Sequence, residues 1–547
     1  MNHRLRTFSV ALLSLVILAL GSAQSSPPAD WLIPEGTFPL TEEPATLRVF
    51  APASSSTDLQ TSAFTRWYEE QTGVTVEWIL APSGQDLNQA LNLLFASGDY
   101  PDVILAPLTP SQQVLYGQQG ILLPLNDLIE ENGIQTKKMF EAYPEVASAV
   151  TTPDGTIYTL PEVNECYHCS MSQKMWIYQP WLDELGLEMP ATTEEFKAVL
   201  EAFKTQDPNG NGQADEIPLT AAPEAQIWNG SIDSFLMNAF VQDSIPARTT
   251  VQDGKITASY TQPQFREGLR YLHDLYSAGL ISPESLTQSA DQLLAQGIAD
   301  PVKLGAVNTA LSGYFTEWGS ERNVDYVTVP PLEGPDGVRV APYAPLRGNG
   351  RFFITAAAED PALALRWGDG IYIPEVELRA IFGTEGENWR WAEAGEKGID
   401  GEPAVYATLP VPEGTPGNGW DQINNSFRPA SFRLAESRKS ETDVEVVLYE
   451  QTKKLEPYQQ DVATTVPPLF FSAEQSQELA DLEATINRYL DEMIARFTTG
   501  DADIEADAAW DEFQTTLTQM GLPRMLKIYQ EAYDASASTE TADGDSN

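Results

Sequence analysis

Leu47-Arg-Val-Phe50, Ala63-Phe-Thr-Arg-Trp-Tyr-Glu-Glu70 and Val74-Thr-Val-Glu-Trp-Ile-Leu80 read in turn as strand, helix and strand. Leu87–Ala96 then carries apolar residues at helical spacing, and after the turn Ser97-Gly98-Asp99 the run Pro101-Asp-Val-Ile-Leu105 opens a third strand. Two neighbouring parallel strands cannot be joined by a hairpin and need a crossover, usually a helix. Strands that alternate with helices therefore predict a largely parallel sheet and an α/β lobe.

Further along, Thr192 and Glu195 form a capping box, and Phe196, Val199, Leu200 and Phe203 make a core-facing stripe. That helix delivers the chain to Asp207-Pro-Asn-Gly-Asn-Gly-Gln-Ala-Asp-Glu216. Asp207, Asn209, Asn211 and Asp215 stand at positions 1, 3, 5 and 9 of a calcium loop, Gly212 at the sharp turn, and the carbonyl of Gln213 at position 7. Position 12 is Pro218 rather than a bidentate Glu, so Glu216 has to close the shell. Ile217-Pro-Leu-Thr220 looks like a strand start, which makes this a structural calcium site between helix and strand. A bare Asn/Gly-rich surface turn is the competing reading.

At 547 residues the chain exceeds what one core serves, so at least two lobes are expected. The net charge of −47 makes nucleic acid and anionic membrane poor partners. Arg4 and Arg6, the apolar run Phe8–Leu20 and Gly21-Ser22-Ala23 form a signal peptide over 1–23, cleaved before Gln24, with no lipid-accepting Cys after it. No later run approaches the roughly 18 apolar residues of a membrane span. Cys166 and Cys169 are the two cysteines, and of the three histidines His3 leaves with the signal, leaving His168 and His273. A four-ligand zinc site is poorly supplied; an exported protein favours a Cys166–Cys169 disulfide, and a redox role stays open.

The last third changes character. Ser472 and Gln475 cap a long helix whose stripe is Leu479, Leu482, Ile486, Tyr489, Leu490, Met493, Ile494 and Phe497; Gly500 ends it. Helices around Ala508–Met520 and Met525–Tyr533 follow, and 535–547 is a polar, low-complexity tail expected to be disordered.

Several of these segments together carry a family resemblance over about 45–535. They are Phe64–Gly73, Ala96–Asp102, Lys174–Gly186, Met189–Phe196 with the calcium loop, Gly383–Trp389, and Gly500–Tyr533. In their order and combination the chain resembles the extracellular solute-binding proteins of bacterial ABC importers, in the carbohydrate branch with large lipoprotein-like and alginate-binding members. The resemblance implies a two-lobed class II periplasmic-binding-protein fold, α/β throughout, with a helical C-terminal region. The expected division is a tether over 24–45, a first lobe of 46–155 plus about 315–375, and a second lobe of 156–314 plus about 376–534. It implies a structural Ca2+ held by Asp207, Asn209, Asn211, Gln213, Asp215 and Glu216, away from the ligand. Without a lipid anchor at the signal site, the expected compartment is the periplasm.

A saccharide site needs flat apolar faces and a few placed polar groups. Of twelve Trp, those at 67, 78, 176, 181, 367 and 510 lie in periodic patterns and read as core. Trp228, Trp318, Trp389, Trp391 and Trp420 lie in loops and are the stacking candidates, each against the alternative of ordinary packing. Tyr343 and Arg347, with Arg351 as a lesser candidate, could bond hydroxyls or a carboxylate, or serve in structural pairs. The expected function is capture of a saccharide, an oligosaccharide by preference, in the interlobe cleft and delivery to an ABC permease by a monomer that is not an enzyme. A secreted hydrolase or lyase is the alternative. Among 79 acidic residues a carboxylate pair could always be found, while no Gly-x-Ser-x-Gly or His-Glu-x-x-His motif occurs.

Overall fold

The computed structural model describes residues 27–54, 57–81, 87–412 and 415–544. The expected signal peptide, 1–23, and the first residues of the expected tether lie outside the described residues. The opening strand–helix–strand forms as read. Ala45–Pro52 pairs in parallel with Val74–Ala81, Leu47 opposite Val76, and with Val103–Leu105, Val49 opposite Val103. The helix between them, Ala63–Thr72, starts where Ser62 accepts the Thr65 amide. It ends at Gly73, whose φ of 74° a side chain would resist. Its buried Phe64 and Tyr68 join Leu47, Val49 and Val103 in one core.

The first sheet has six strands in the order Phe427–Arg428, Leu160–Asn164, Asn349–Ile354, Val103–Leu105, Ala45–Pro52, Val74–Ala81. The second has four: Tyr326–Thr328, Met175–Tyr178, Leu304–Asn308, Ile217–Thr220. The capped helix Thr193–Thr205 buries Phe196, Val199, Leu200 and Phe203 beside Met175 and Leu219 of this second sheet. The C-terminal helices Ala473–Thr499 and Asp507–Gln519 complete that core, with Leu479, Ile486, Leu490 and Phe497 facing Leu269 and Leu272.

The lobes therefore divide differently from the expected boundaries. Phe315 and Tyr326 are buried with Trp176 in the second lobe, and Tyr326–Thr328 pairs with Met175–Tyr178, so 315–340 stays there. Val376, Ala380 and Trp420 share the core of the first sheet, and Phe427–Arg428 extends it, so 376–428 belongs to the first lobe. The reason is local: helices Pro361–Gly370 and Pro374–Phe382 follow each other with three residues between, Ile371 to Ile373, all buried in that core. The chain has no slack to leave the lobe there. It crosses instead near 165–174, 341–348 and 435–444.

The ends differ too. The tether packs on the first lobe from residue 29 on: Trp31 stacks on Phe432 with centroids 4.9 Å apart, and Phe38 meets Tyr68 edge-on at 5.9 Å. The tail expected to be disordered continues the last helix, Leu522–Gly544, because Ala, Ser, Thr and Glu follow Tyr533 with no Gly or Pro before Gly544. No helix among the described residues is long and apolar enough to cross a membrane.

Candidate functional site

Open α/β sheets take ligands beyond the carboxyl ends of their parallel strands. In the first lobe that edge follows Pro52, Ala81 and Leu105, and the sheet register brings Asn349, Glu162, Asn164 and Arg428 to the same edge. In the second lobe it follows Thr220 and Asn308, adjacent in the parallel pairing of their strands.

Asn308 shapes the second-lobe edge. Its Nδ2 donates to Asn229 O (3.0 Å), Ser231 O (2.7 Å) and Ser234 Oγ (2.7 Å), while its Oδ1 is buried without a partner. Asn229, at φ 51°, sends its own Nδ2 to Ser172 Oγ at 2.7 Å. This frame fixes the loop that carries Trp228, whose carbonyl accepts the Ala310 amide and whose side chain stays exposed at 36%. Trp318 is 46% exposed and lies over Gly313, where any Cβ would overlap its ring.

The other aromatic candidates go elsewhere. Trp389 is fully buried against Leu378, Tyr406 and Phe432, with Nε1 donating to Gly383 O at 3.0 Å. Trp420 is fully buried in the first-lobe core, edge-on to Phe64 at 4.7 Å, with Nε1 on Thr65 Oγ1 at 2.7 Å. Both have spent their faces and their N–H inside the protein, so neither can stack on a ligand. Trp391 is half-buried, edge-on to Trp389 at 5.1 Å. Tyr343 and Arg347 lie in the second crossover: Tyr343 packs beside Met171 and Leu455, and Arg347 Nη2 donates to Val466 O at 2.6 Å. Burial pulls the Arg347 guanidinium below its usual range and raises the Tyr343 phenol. Arg351 is paired with Glu162, Nε to Oε2 at 2.8 Å.

A cavity of about 300 Å³ lies beside the third crossover. Asp421, Gln422, Arg428 and Arg433 enter it from the first lobe, and Glu436 from the crossover itself. Glu445 enters from helix Val444–Lys453, which is tied to the second sheet by Thr328 Oγ1 donating to Gln451 O at 2.9 Å. Phe382 and Tyr406 form an apolar wall. Arg433 reaches Asn164 Oδ1 at 3.1 Å and Glu445 Oε2 at 3.4 Å, whereas Arg428 Nε is buried without a partner. Burial, then Arg428, lowers the Arg433 guanidinium; burial raises the Glu436 carboxyl. Two guanidiniums, three carboxylates and an amide against aromatic walls suit hydroxyl groups, which donate and accept at once.

Sequence reasoning missed these six polar residues. They spread over 421–445 with no period or motif. The nearest signal was Gly417-Asn-Gly-Trp-Asp-Gln422, read for its Trp. Asp421, at φ 57°, turns the chain so that Trp420 enters the core while its two successors reach the pocket.

The loop at 207–216 lies apart, between Thr193–Thr205 and Ile217–Thr220. Asp207 (φ 48°) accepts the amides of Asn211 at 3.1 Å and Gly212 at 2.9 Å; Asn209 Oδ1 accepts that of Asn211, and Asn211 Oδ1 that of Gln213. These bonds curl the loop around its own oxygens, with Gly210 and Gly212 at φ 67° and 75°. Asp215 Oδ1 takes the Asn209 and Asn211 amides, and Oδ2 takes Lys303 at 2.8 Å, which with them holds Asp215 down at about 2. Glu216 Oε1 is buried with no partner, and burial, then the charges of Asp207 and Asp215, raise its carboxyl. An orphaned carboxylate oxygen beside two further carboxylates fits a hard cation.

The comparisons with known proteins agree with this architecture. The family described as bacterial extracellular solute-binding protein matches residues 52–369. The chain is similar to the fructooligosaccharide ABC transporter substrate-binding protein FusA of Streptococcus pneumoniae serotype 4, at 29% identity over 97% of this chain and 98% of that one. The structure of FusA in complex with kestose superimposes with a TM-score of 0.70 at 26% identity, over 90% of this chain and 100% of the other, and an EF-hand mutant of FusA matches equally well. An extracellular solute-binding protein from Bifidobacterium longum subsp. infantis shares the fold, with a TM-score of 0.75 at 20% identity over 90% and 98% of the two chains. Two lobes, each presenting the carboxyl edge of its sheet, and a family match over more than half of the sequence lead to one conclusion: the chain belongs to the bacterial extracellular solute-binding proteins.

Proposed function

We propose that this protein captures a neutral oligosaccharide, of the fructooligosaccharide class, between its lobes and hands it to an ABC import permease. The observation that carries the reading is the pocket at the third crossover, where Gln422, Arg428 and Arg433 of the first lobe and Glu436 of the crossover face Glu445 on helix Val444–Lys453, which is tied to the second sheet. A sugar bound there contacts both lobes, so it stabilises the closed arrangement in proportion to its extra contacts. Trp228 and Trp318, exposed at the second-lobe edge, offer faces for further rings of the chain. The relative FusA, similar over nearly the full length, is a fructooligosaccharide binder by name. Arg351 and Arg347 are already engaged by Glu162 and Val466 O, and the net charge of −47 disfavours a polyanion.

In the same reading Asp207, Asn209, Asn211, Asp215, Glu216 and the Gln213 carbonyl hold Ca2+, which would neutralise the crowded carboxylates and fix the second lobe. The protein works as a monomer in the periplasm, exported by residues 1–23. A thermal-shift panel of kestose, a neutral glucan oligosaccharide and an oligogalacturonate tests the ligand class. Kestose is expected to raise the melting temperature with rising concentration. A shift with oligogalacturonate alone would overturn the neutral assignment.

A further inference from the structure

Cys166 and Cys169 are joined by a disulfide in the first crossover, between strand Leu160–Asn164 of one sheet and Met175–Tyr178 of the other. This turn stands one residue away from the pocket. His168 is buried in it, with Nε2 3.3 Å from Cys166 Sγ and Nδ1 3.6 Å from Glu445 Oε2. Glu445 meets Arg433 at 3.4 Å, Arg433 donates to Asn164 Oδ1 at 3.1 Å, and Asn164 Nδ2 donates to Gln422 Oε1 at 3.3 Å. Asn164 is two residues before Cys166, and its carbonyl accepts the Cys166 amide at 3.0 Å. The contacts thus form a closed ring: disulfide, His168, Glu445, Arg433, Asn164 and back to Cys166, with the pocket on one side.

The turn is also pinned from beneath. Lys174, fully buried, donates through Nζ to His168 O and Met171 O, both at 2.7 Å. Burial, with Lys174 and Arg433 nearby, pulls the His168 imidazole down to about 3, so it stays neutral with a single N–H. Both cysteines are half-buried and within reach of a small reductant. A disulfide over so short a loop constrains the unfolded chain little, so its opening should leave both lobes folded.

We propose that the Cys166–Cys169 turn is a positioning element for the saccharide pocket: closed, it holds His168 against Glu445 and so fixes Glu445 and Arg433 at the pocket wall; opened, it releases that wall and weakens binding. This rests on the pocket being the saccharide seat. A dithiol opens the turn by thiol–disulfide exchange. The Sγ–Sγ bond takes up two electrons and two protons to give two thiols, while the dithiol closes its own disulfide.

The test is calorimetric titration of the full chain with kestose, before and after treatment with dithiothreitol, in wild type, in Cys166→Ser/Cys169→Ser and in Glu445→Gln. Thiol titration reports opening, and circular dichroism reports that the fold is kept. Reduction and the double serine variant are each expected to weaken kestose by about ten-fold, as coupled neighbours do. In Glu445→Gln the affinity is already lowered and reduction should have no further effect, which a merely structural disulfide would not produce. Unchanged affinity of the wild type with both thiols open overturns the proposal, as does an equal further loss in Glu445→Gln. No kestose binding by the oxidised wild type overturns the saccharide reading itself, and the positioning role with it.

Discussion

Glu377, on helix Pro374–Phe382, is fully buried; Oε2 accepts Asn424 Nδ2 at 3.3 Å and Oε1 has no partner. Burial, only partly opposed by Arg428, raises its carboxyl to about 8 from the usual 4.5. A carboxyl that keeps its proton in the folded state but loses it in the unfolded state makes stability fall as pH rises between those values, here from about 4.5 to about 8. Each unit is worth about 1.4 kcal/mol, which makes the whole effect a few kcal/mol. Denaturant unfolding of Glu377→Gln should therefore show a flatter pH dependence than wild type across that window, with the variant the more stable at pH 8. Parallel curves would contradict the buried, protonated carboxyl. The tryptophans separate at the same scale. Trp228→Ala and Trp318→Ala should each weaken oligosaccharide binding by ~1–2 kcal/mol and leave melting almost unchanged. Trp389→Ala and Trp420→Ala should cost ~3–5 kcal/mol of stability. Loop position marked both groups alike in the sequence. What divides them is which way the loop folds, and that is set by distant residues such as Thr65, which takes the Trp420 N–H.

Among the elements, the loop 207–216 was the most legible, because short-range spacing alone places its oxygens. The capping boxes at Thr192 and Ser472 and the apolar stripes behind them were legible for the same reason, and they form as read. Leu482 and Tyr489 are only partly buried, since they stand at the margins of the stripe. Calcium should stabilise the second lobe by about 2.7 kcal/mol at a hundred times its dissociation constant. Differential scanning calorimetry with and without a chelator measures this, and Asp207→Ala should abolish the chelator-sensitive part. A melting profile indifferent to chelator would mean that Lys303 and the asparagine amides already satisfy the loop. The pocket was not legible at this scale. Its residues come from a turn, the last strand of the first sheet, a one-turn helix and the start of another, and only long-range pairing such as Arg428 beside Asn164 assembles them.

In the whole molecule, the two-lobed architecture was readable from the alternation of strands and helices and from the family resemblance, but the crossings between lobes were not. No motif in the sequence marks the link Ile371–Ile373 as one that stays in its lobe or 341–348 as one that leaves it; the former is held by its shortness and by the burial of its residues in the first-lobe core. Burial decides. The first crossing carries the disulfide-closed turn, the second meets it where the Ala344 amide donates to Ser170 O, and the third runs beside the pocket. An oligosaccharide bound between the lobes is expected to close them and to leave unchanged. Small-angle scattering of the protein with and without saturating kestose, followed by recovery of the sugar, tests it most directly. A reduced radius of gyration at one sugar per chain, with the kestose recovered intact, is the predicted result. Cleaved sugar, or binding with no change in dimensions, would contradict it.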